Sequence, residues 1–412
     1  MSGWVGGTFG SLRSRAFLTL WLGTLAAFVA FFMSSAVQGV VAFELTGRNR
    51  AVGFVVAAQG LSQGLLGPVG GAMADRLSRK RVVLACQLVI TVAFAALAVL
   101  VATDLVTIVL LSLGSFAIGA AFSFLGPARN AWVVELVEPG RRGNAIALTQ
   151  VALNASRIIG PLLAAAVLGV AALGAGGAYG TMTLLYVGAL AATVSLASGG
   201  RPARQGQRSV TSDIALGIRY IAGHPRLRFL VPSYLLVIMT GFGYITVLPG
   251  LVSNELGRDP RAITAVLAVN AIGGLAASVT VAGIADSPLA TRAYTGACIA
   301  FGLALVASSM APSYVALTGA MLFVGAGSGG FQTLNGALVS TLAEPEYLGR
   351  VMSITFLGFA ASNLFSFPFG ILADAIGERP ALTMTGSAVV VITVIFTILE
   401  GFASRRARAP GG

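Results

Sequence analysis

Apolar residues along this chain come in long unbroken runs, and the charged residues gather in the gaps between them. Twelve runs reach roughly twenty residues, the length an α-helix needs to cross ~30 Å of hydrocarbon. They predict membrane-spanning helices at 16–42, 52–74, 82–102, 105–134, 144–173, 178–198, 228–252, 262–285, 292–311, 313–340, 350–374 and 380–402. No run alternates apolar and polar positions with period two. Lipid tolerates only helices and closed barrels, so the pattern predicts an all-α integral membrane bundle.

One connection alone is long and polar, GGRPARQGQRSVTSDIALGIRYIAGHPRLR at 199–228. It parts six predicted spans from six: an N-terminal bundle over 1–198, a basic linker over 199–227 and a C-terminal bundle over 228–412. Within it, SDIALGIRYI predicts a short interfacial helix started by Ser212 or Asp213. The halves echo each other. ELTGRNRAV from Glu44 and ELGRDPRAI from Glu255 each follow the first span of a half, and Asp75 and Asp286 each come 31 residues after those glutamates. EPGRRGN and EPEYLGR keep E-P-x-x-x-G between the fourth and fifth spans of each half. Repeated halves are the mark of alternating-access carriers.

Charge settles orientation. Only 10% of the 412 residues are charged, against about a quarter in a soluble domain. The net charge of +12 raises nucleic acid as a partner, but the distribution argues against it. Of the 26 Lys and Arg, five (Arg48, Arg50, Arg258, Arg261, Arg379) fall on one side and Arg129 and Arg157 fall inside spans. The other nineteen lie in the tails and even-numbered connections. This positive-inside bias places both termini in the cytoplasm of a bacterial-type inner membrane. The first apolar run is too long for a cleavable signal. His224, the single histidine, lies in a loop, and Cys86 and Cys298 lie in separate spans, so neither a metal site, a cofactor nor a disulfide is expected. With no GxxxxGK[ST] and no catalytic constellation at depth, the expectation is neither an ATP-driven pump nor an enzyme.

GGAMADRLSRKRVV (70–83) packs Asp75, Arg76, Arg79, Lys80 and Arg81 into seven positions between spans 2 and 3. Glycines there let helix backbones approach, and an acid suits a neighbouring helix N-terminus or an arginine. The stretch therefore predicts a conformational latch of Gly71, Asp75, Arg76, Arg79, Lys80 and Arg81, echoed by Asp286 in AGIADSPLATRA (282–293). GGAMADRLSRKR resembles the loop 2–3 signature of the major facilitator superfamily, G-x-x-x-D-R-x-G-R-R/K, with Ser78 at the second glycine. RIIGPLLAAAVLG (157–169), carrying Gly160 and Pro161, resembles that superfamily's antiporter signature, with Ala164 and Ala165 replacing glycines. The segment FLGPARN…RIIGP (124–161) and GILADAIGERPAL (370–382) resemble the branch of macrolide, tetracycline and enterobactin exporters. The resemblance implies two pseudo-symmetric six-helix bundles acting as a monomer. It implies export of a drug- or siderophore-like amphipathic small molecule by alternating access, coupled to protons. The alternative is a carrier of the same fold moving a lysophospholipid, metabolite or metal chelate without proton antiport.

The resemblance further implies a cavity lined by the first and fourth helices of each half. Span 1 offers Phe28, Phe31, Phe32 and Gln38; span 4 offers Phe124, Arg129 and Asn130. Span 7 offers Tyr234, Met239 and Tyr244; span 10 offers Phe331, Gln332 and Asn335. Aromatic and methionine side chains with a few polar groups suit large, partly apolar guests. In span 5, Gln150, Asn154 and Arg157 fall at i, i+4 and i+7 on one helix face. Arg157 lies ~21 Å into the span, where an unpaired charge costs at least ~2.5–3.5 kcal/mol. It either locks the bundle by bonding carbonyls and Asn154, or attracts an anionic or phenolic guest or joins a coupling network. All 14 acids lie in loops, tails or span ends. Related exporters place an acid where Phe31 stands, and antiporters an arginine where Ser115 stands. Proton coupling therefore falls to Glu44 and Glu135, at the ends of spans 1 and 4, unless these are structural caps.

Overall fold

The computed structural model describes residues 10–76, 78–138, 141–170, 172–196, 210–285 and 287–408, without the side chains of 68–76, 134, 210–213, 345 and 404–408. The described residues are helical and include no strand. Contacts divide the chain into two units, Met1–Thr46 with Ala58–Gln207, and Gly47–Ala57 with Arg208–Gly412.

The first unit is built from α1 (Arg15–Thr46), α2 (Asn49–Arg76), α3 (Arg79–Ala102), α4 (Ile108–Glu135), α5 (Arg142–Leu168) and α6 (Gly174–Ser195). The opening of α2 belongs to the second unit. Thr107 starts α4 by accepting a hydrogen bond from the Leu110 N–H at 3.3 Å. Inside, α3, α4 and α6 pack around Phe94, Trp132, Tyr179 and Tyr186, all fully buried. Phe94 sits edge-on to Tyr186 at 5.5 Å between ring centres, a favoured aromatic geometry.

The second unit holds α7 (Val210–Gly223), α8 (Leu227–Gly241), α9 (Tyr244–Gly250), α10 (Ile263–Ala282), α11 (Ala290–Ser309), α12 (Tyr314–Leu342), α13 (Pro345–Ile376) and α14 (Glu378–Arg408). Its core centres on Phe301 of α11, whose ring meets those of Phe242, Tyr244 and Phe331. Small residues allow the closest crossings. A Cβ on Gly302 would stand 2.7 Å from the Gly386 carbonyl oxygen, so only glycine permits α11 to lie that close to α14.

Among the described residues eleven helical stretches are long and apolar enough to cross a membrane, and this is a multi-pass membrane protein. Large apolar side chains face outward all round, among them Leu184, Met310 and Val315 at 73–78% exposure, as lipid contact requires. The span expected at 52–74 falls within the 28-residue α2, the end of which carries side chains outside the described ones. The span expected at 228–252 is present as Leu227–Glu255 but irregular: α8 ends at Gly241, α9 follows from Tyr244, and a π-helical turn covers Leu251–Glu255. Pro249 lacks the N–H that a regular helix would use, which accounts for the irregular end. The short helix expected there is present, and Ser212 and Asp213 lie inside it rather than at its cap. It does not float on the surface. Tyr220 stacks on Tyr347 of α13 at 4.2 Å, and its hydroxyl accepts a hydrogen bond from the Glu344 N–H at 3.0 Å.

Candidate functional site

An aromatic platform on α1 is the most pronounced polar–aromatic feature of the first unit. Phe31 stacks on Phe122 of α4 at 4.2 Å and meets Phe32 edge-on at 5.6 Å. Two guanidinium groups lie over this platform. Arg129 of α4 sits 4.7 Å above the Phe28 ring, and Arg157 of α5 sits 5.7 Å above Phe32. Each is a cation–π contact worth roughly 0.5–2 kcal/mol, more as water is removed. Arg129 is 2% exposed, and its Nη2 finds no hydrogen-bond partner. A buried cation with an unfilled donor is costly and invites an acceptor. The close crossing of α1 and α5 sets the geometry: a Cβ on Gly160 would lie 2.8 Å from the Met33 nitrogen and from the Phe32 Cβ. Pro161, beside it, is buried. Gln150 and Asn154 share the exposed face of α5 with Arg157, while Phe124 is half-buried and Asn130 exposed. Gln38 is not an open cavity group. It is 2% exposed, and its Oε1 accepts from Ser115 at 2.7 Å, leaving Nε2 without a partner.

In the second unit most of the aromatic candidates are core. Phe331 is wholly buried and packs edge-on against Tyr234 at 5.9 Å. Tyr244 is 3% exposed and donates to the Asn270 Oδ1 at 3.4 Å; Asn335 is 2% exposed with Oδ1 unpartnered. Gln332 donates to the Ser328 carbonyl at 3.0 Å and is half-buried, as is Met239. The expectation that Phe331, Tyr234 and Tyr244 line an open space gives way here to packing around Phe301.

Of the latch residues, the side chains of Gly71, Asp75 and Arg76, and Asp286 altogether, lie outside the described residues. Arg79 and Lys80, at the start of α3, tie down the ends of neighbouring helices. Arg79 pairs with Glu135 and donates to the Ala131 carbonyl at 3.2 Å, at the end of α4. Lys80 donates to the carbonyls of Leu196 and, at 2.9 Å, Val194, at the end of α6. Cations placed on exposed helix carbonyls satisfy groups that otherwise lack partners and oppose the helix dipole. Arg81 is exposed. Glu135 is thus a paired cap, and Glu44 is exposed at the end of α1.

A second cluster of this kind joins α13, α14 and the start of α2. Asp374 accepts the Asn49 N–H at 2.7 Å and the Arg50 N–H at 3.1 Å, capping α2 from a distant part of the sequence. Glu378, 7% exposed, accepts from the side-chain amides of Asn49 at 3.0 Å and Asn254 at 2.7 Å. Arg379 pairs with Glu255 at 2.8 Å and caps α11 through the carbonyls of Ser309 and Ala311. No group of three or more metal-ligating side chains occurs among the described residues.

A family model described as Major Facilitator Superfamily matches residues 20–363. The chain belongs to the major facilitator superfamily. It is accordingly a transporter and not an enzyme. No curated protein matches the sequence. Solved transporters of similar fold include a POT family transporter in complex with a thioalcohol-conjugated peptide, at 13% identity and a TM-score of 0.74, covering 94% of this chain and 96% of that one. A bacterial homolog of the human lysosomal transporter Spinster gives 14% and 0.75, over 95% and 97%. The nucleoside transporter NupG gives 14% and 0.74, over 93% and 99%. At such identities the likeness is one of fold. Sequence reasoning on this superfamily member missed Asp374, Glu378 and Asn49. The available signal was spacing: Gly370, Asp374, Gly377 and Arg379 repeat the intervals of Gly71, Asp75, Ser78 and Lys80.

Proposed function

We propose that this transporter exports an anionic, amphipathic organic compound from the cytoplasm by alternating access, in the manner of the drug and siderophore exporter branch its motifs resemble. It does so from a bacterial-type inner membrane with both termini cytoplasmic. The observation that carries the reading is the pair of guanidinium groups, Arg129 and Arg157, laid over Phe28 and Phe32, while all 14 acids of the chain lie at span ends or outside the spans. Such a platform offers charge to a carboxylate or phenolate and ring faces to its apolar body. A cationic drug would meet no countercharge at that depth.

The test is transport in proteoliposomes with matched organic anions, cations and a lysophospholipid. Anion transport should exceed cation transport, and Arg157→Gln should lower anion transport by about tenfold, the cost of one charge-assisted contact. Equal transport of cations, or an Arg157→Gln variant that folds normally and moves anions at the original rate, sinks the reading. Preferential movement of the lysophospholipid makes the lipid carrier the better description.

A further inference from the structure

The second unit has a small pocket, open at its mouth and about 30 Å³ in volume, among α8, α11, α12 and α14, lined by none of the residues considered above. Arg226, Thr291 and Glu400 stand at its mouth, where α8 and α11 begin and α14 leaves the membrane-spanning stretch. Ser233, Tyr294 and Thr393 line it one to two helical turns further in.

The hydrogen-bonding capacity of the wall is one-sided. Thr295 donates to the Thr291 carbonyl at 3.2 Å, Thr393 to Val389 at 2.7 Å and Thr397 to Thr393 at 2.8 Å. Their protons are spent within their own helices, so what they offer a guest is oxygen lone pairs. Ser233 and Tyr294 bond each other at 3.2 Å. One proton of that pair remains to give and Arg226 is a donor; the rest of the lining, with the half-buried Glu400 carboxylate, mostly accepts hydrogen bonds, which favours a guest that donates them. Arg226 is exposed and acts electrostatically on Glu400 without closing a salt bridge to it. The mouth therefore presents one cation and one anion, both open to a ligand that carries the opposite pair.

We propose that this pocket binds the headgroup of a phospholipid bearing a primary amine, its ammonium on Glu400 and the Thr397 hydroxyl and its phosphate on Arg226. A trimethylammonium headgroup has no N–H to give, and a purely anionic headgroup leaves Glu400 facing like charge. A lipid suits the site better than a water-soluble amine. Phe229, Leu342 and Phe396 line the same pocket, and the mouth lies at helix ends, where headgroups gather. The assignment is independent of the transported compound.

The test uses the full chain purified in detergent, with binding read from lipid-dependent shifts in melting temperature. The probes are dioleoyl phosphatidylethanolamine, the matching phosphatidylcholine and phosphatidylglycerol, and soluble glycerophosphoethanolamine. Phosphatidylethanolamine should bind about tenfold more tightly than either other lipid, the worth of one charge-assisted hydrogen bond. Glu400→Gln should erase the preference. Thr397→Val, at an exposed position that loses one acceptor, should reduce it and keeps the test readable where Glu400→Gln fails to fold. Equal binding of the three lipids overturns the proposal, as does a preference that survives both substitutions. Soluble glycerophosphoethanolamine binding as tightly as the lipid overturns the lipid as occupant.

Discussion

At the residue scale, chemistry that looks functional in sequence often turns out to be a backbone cap. His224, the only histidine, accepts the N–H groups of Arg226 and Leu227 through Nδ1 at 3.3 and 3.2 Å and so starts α8. Gly160 is the opposite case. The G-P signature was legible, and the structure supplies its reason, since α1 leaves no room for a side chain. Gly160→Leu should therefore destabilise by about 1–3 kcal/mol or more, the usual cost of overpacking a close contact. Gly319→Leu, where nothing lies within 4 Å, should leave the melting temperature nearly unchanged. Equal melting temperatures for the two variants would contradict a close α1–α5 crossing. The aromatic candidates were less legible. Phe331 lies among glycines and polar residues in the sequence and Phe31 among apolar ones, yet the first is sealed in the core and the second stacks on a half-buried platform. Hydropathy reports immersion in the membrane region and is silent about which side of a helix meets protein.

At the element scale, helix ends explain where the rare charges go. The spans were readable to within a few residues because twenty apolar residues have few other fates. The partners of the charges were not readable, because Arg79 and Glu135 are 56 residues apart and Asn49 and Asp374 are 325 apart. Nothing local in the sequence links them. The spacing repeat at Gly370–Arg379 reads, with the coordinates in hand, as the same device as Gly71–Lys80. In each, the final cation covers the carbonyl end of a neighbouring helix: Lys80 that of α6 and Arg379 that of α11. Asp374 completes the second copy by capping α2. Asp374→Ala should cost about 1 kcal/mol, typical of a lost N-cap, and should speed amide exchange at Asn49 and Arg50. Asp374→Asn, which keeps an acceptor oxygen, should restore part of the protection. Unchanged exchange in Asp374→Ala would remove the capping role.

At the scale of the whole molecule, the placement of acids limits how energy can enter. Every Asp and Glu lies at a span end or outside the spans, so coupling of the proposed export to protons would have to run through an end carboxylate. The two picked out from sequence are poor carriers as folded. Glu44 is exposed, and Glu135 is committed to Arg79 beside the carbonyl end of α4. Glu378 is better placed. It is enclosed at 7% exposure, and its one oxygen Oε1 holds both Asn49 of α2 and Asn254 beyond α9. Protonation would weaken both bonds at once, since a carboxylate accepts more strongly than a carboxylic acid. A proton there thus bears on the contact between helices rather than on one side chain. Glu378→Gln retains an acceptor oxygen and removes the charge. In proteoliposomes with an imposed pH gradient it should abolish gradient-driven transport while leaving counterflow of the same anion intact. Glu44→Gln should leave both unchanged. Gradient-driven transport that persists in Glu378→Gln, with the protein folded, would exclude this carboxylate as the entry point for protons.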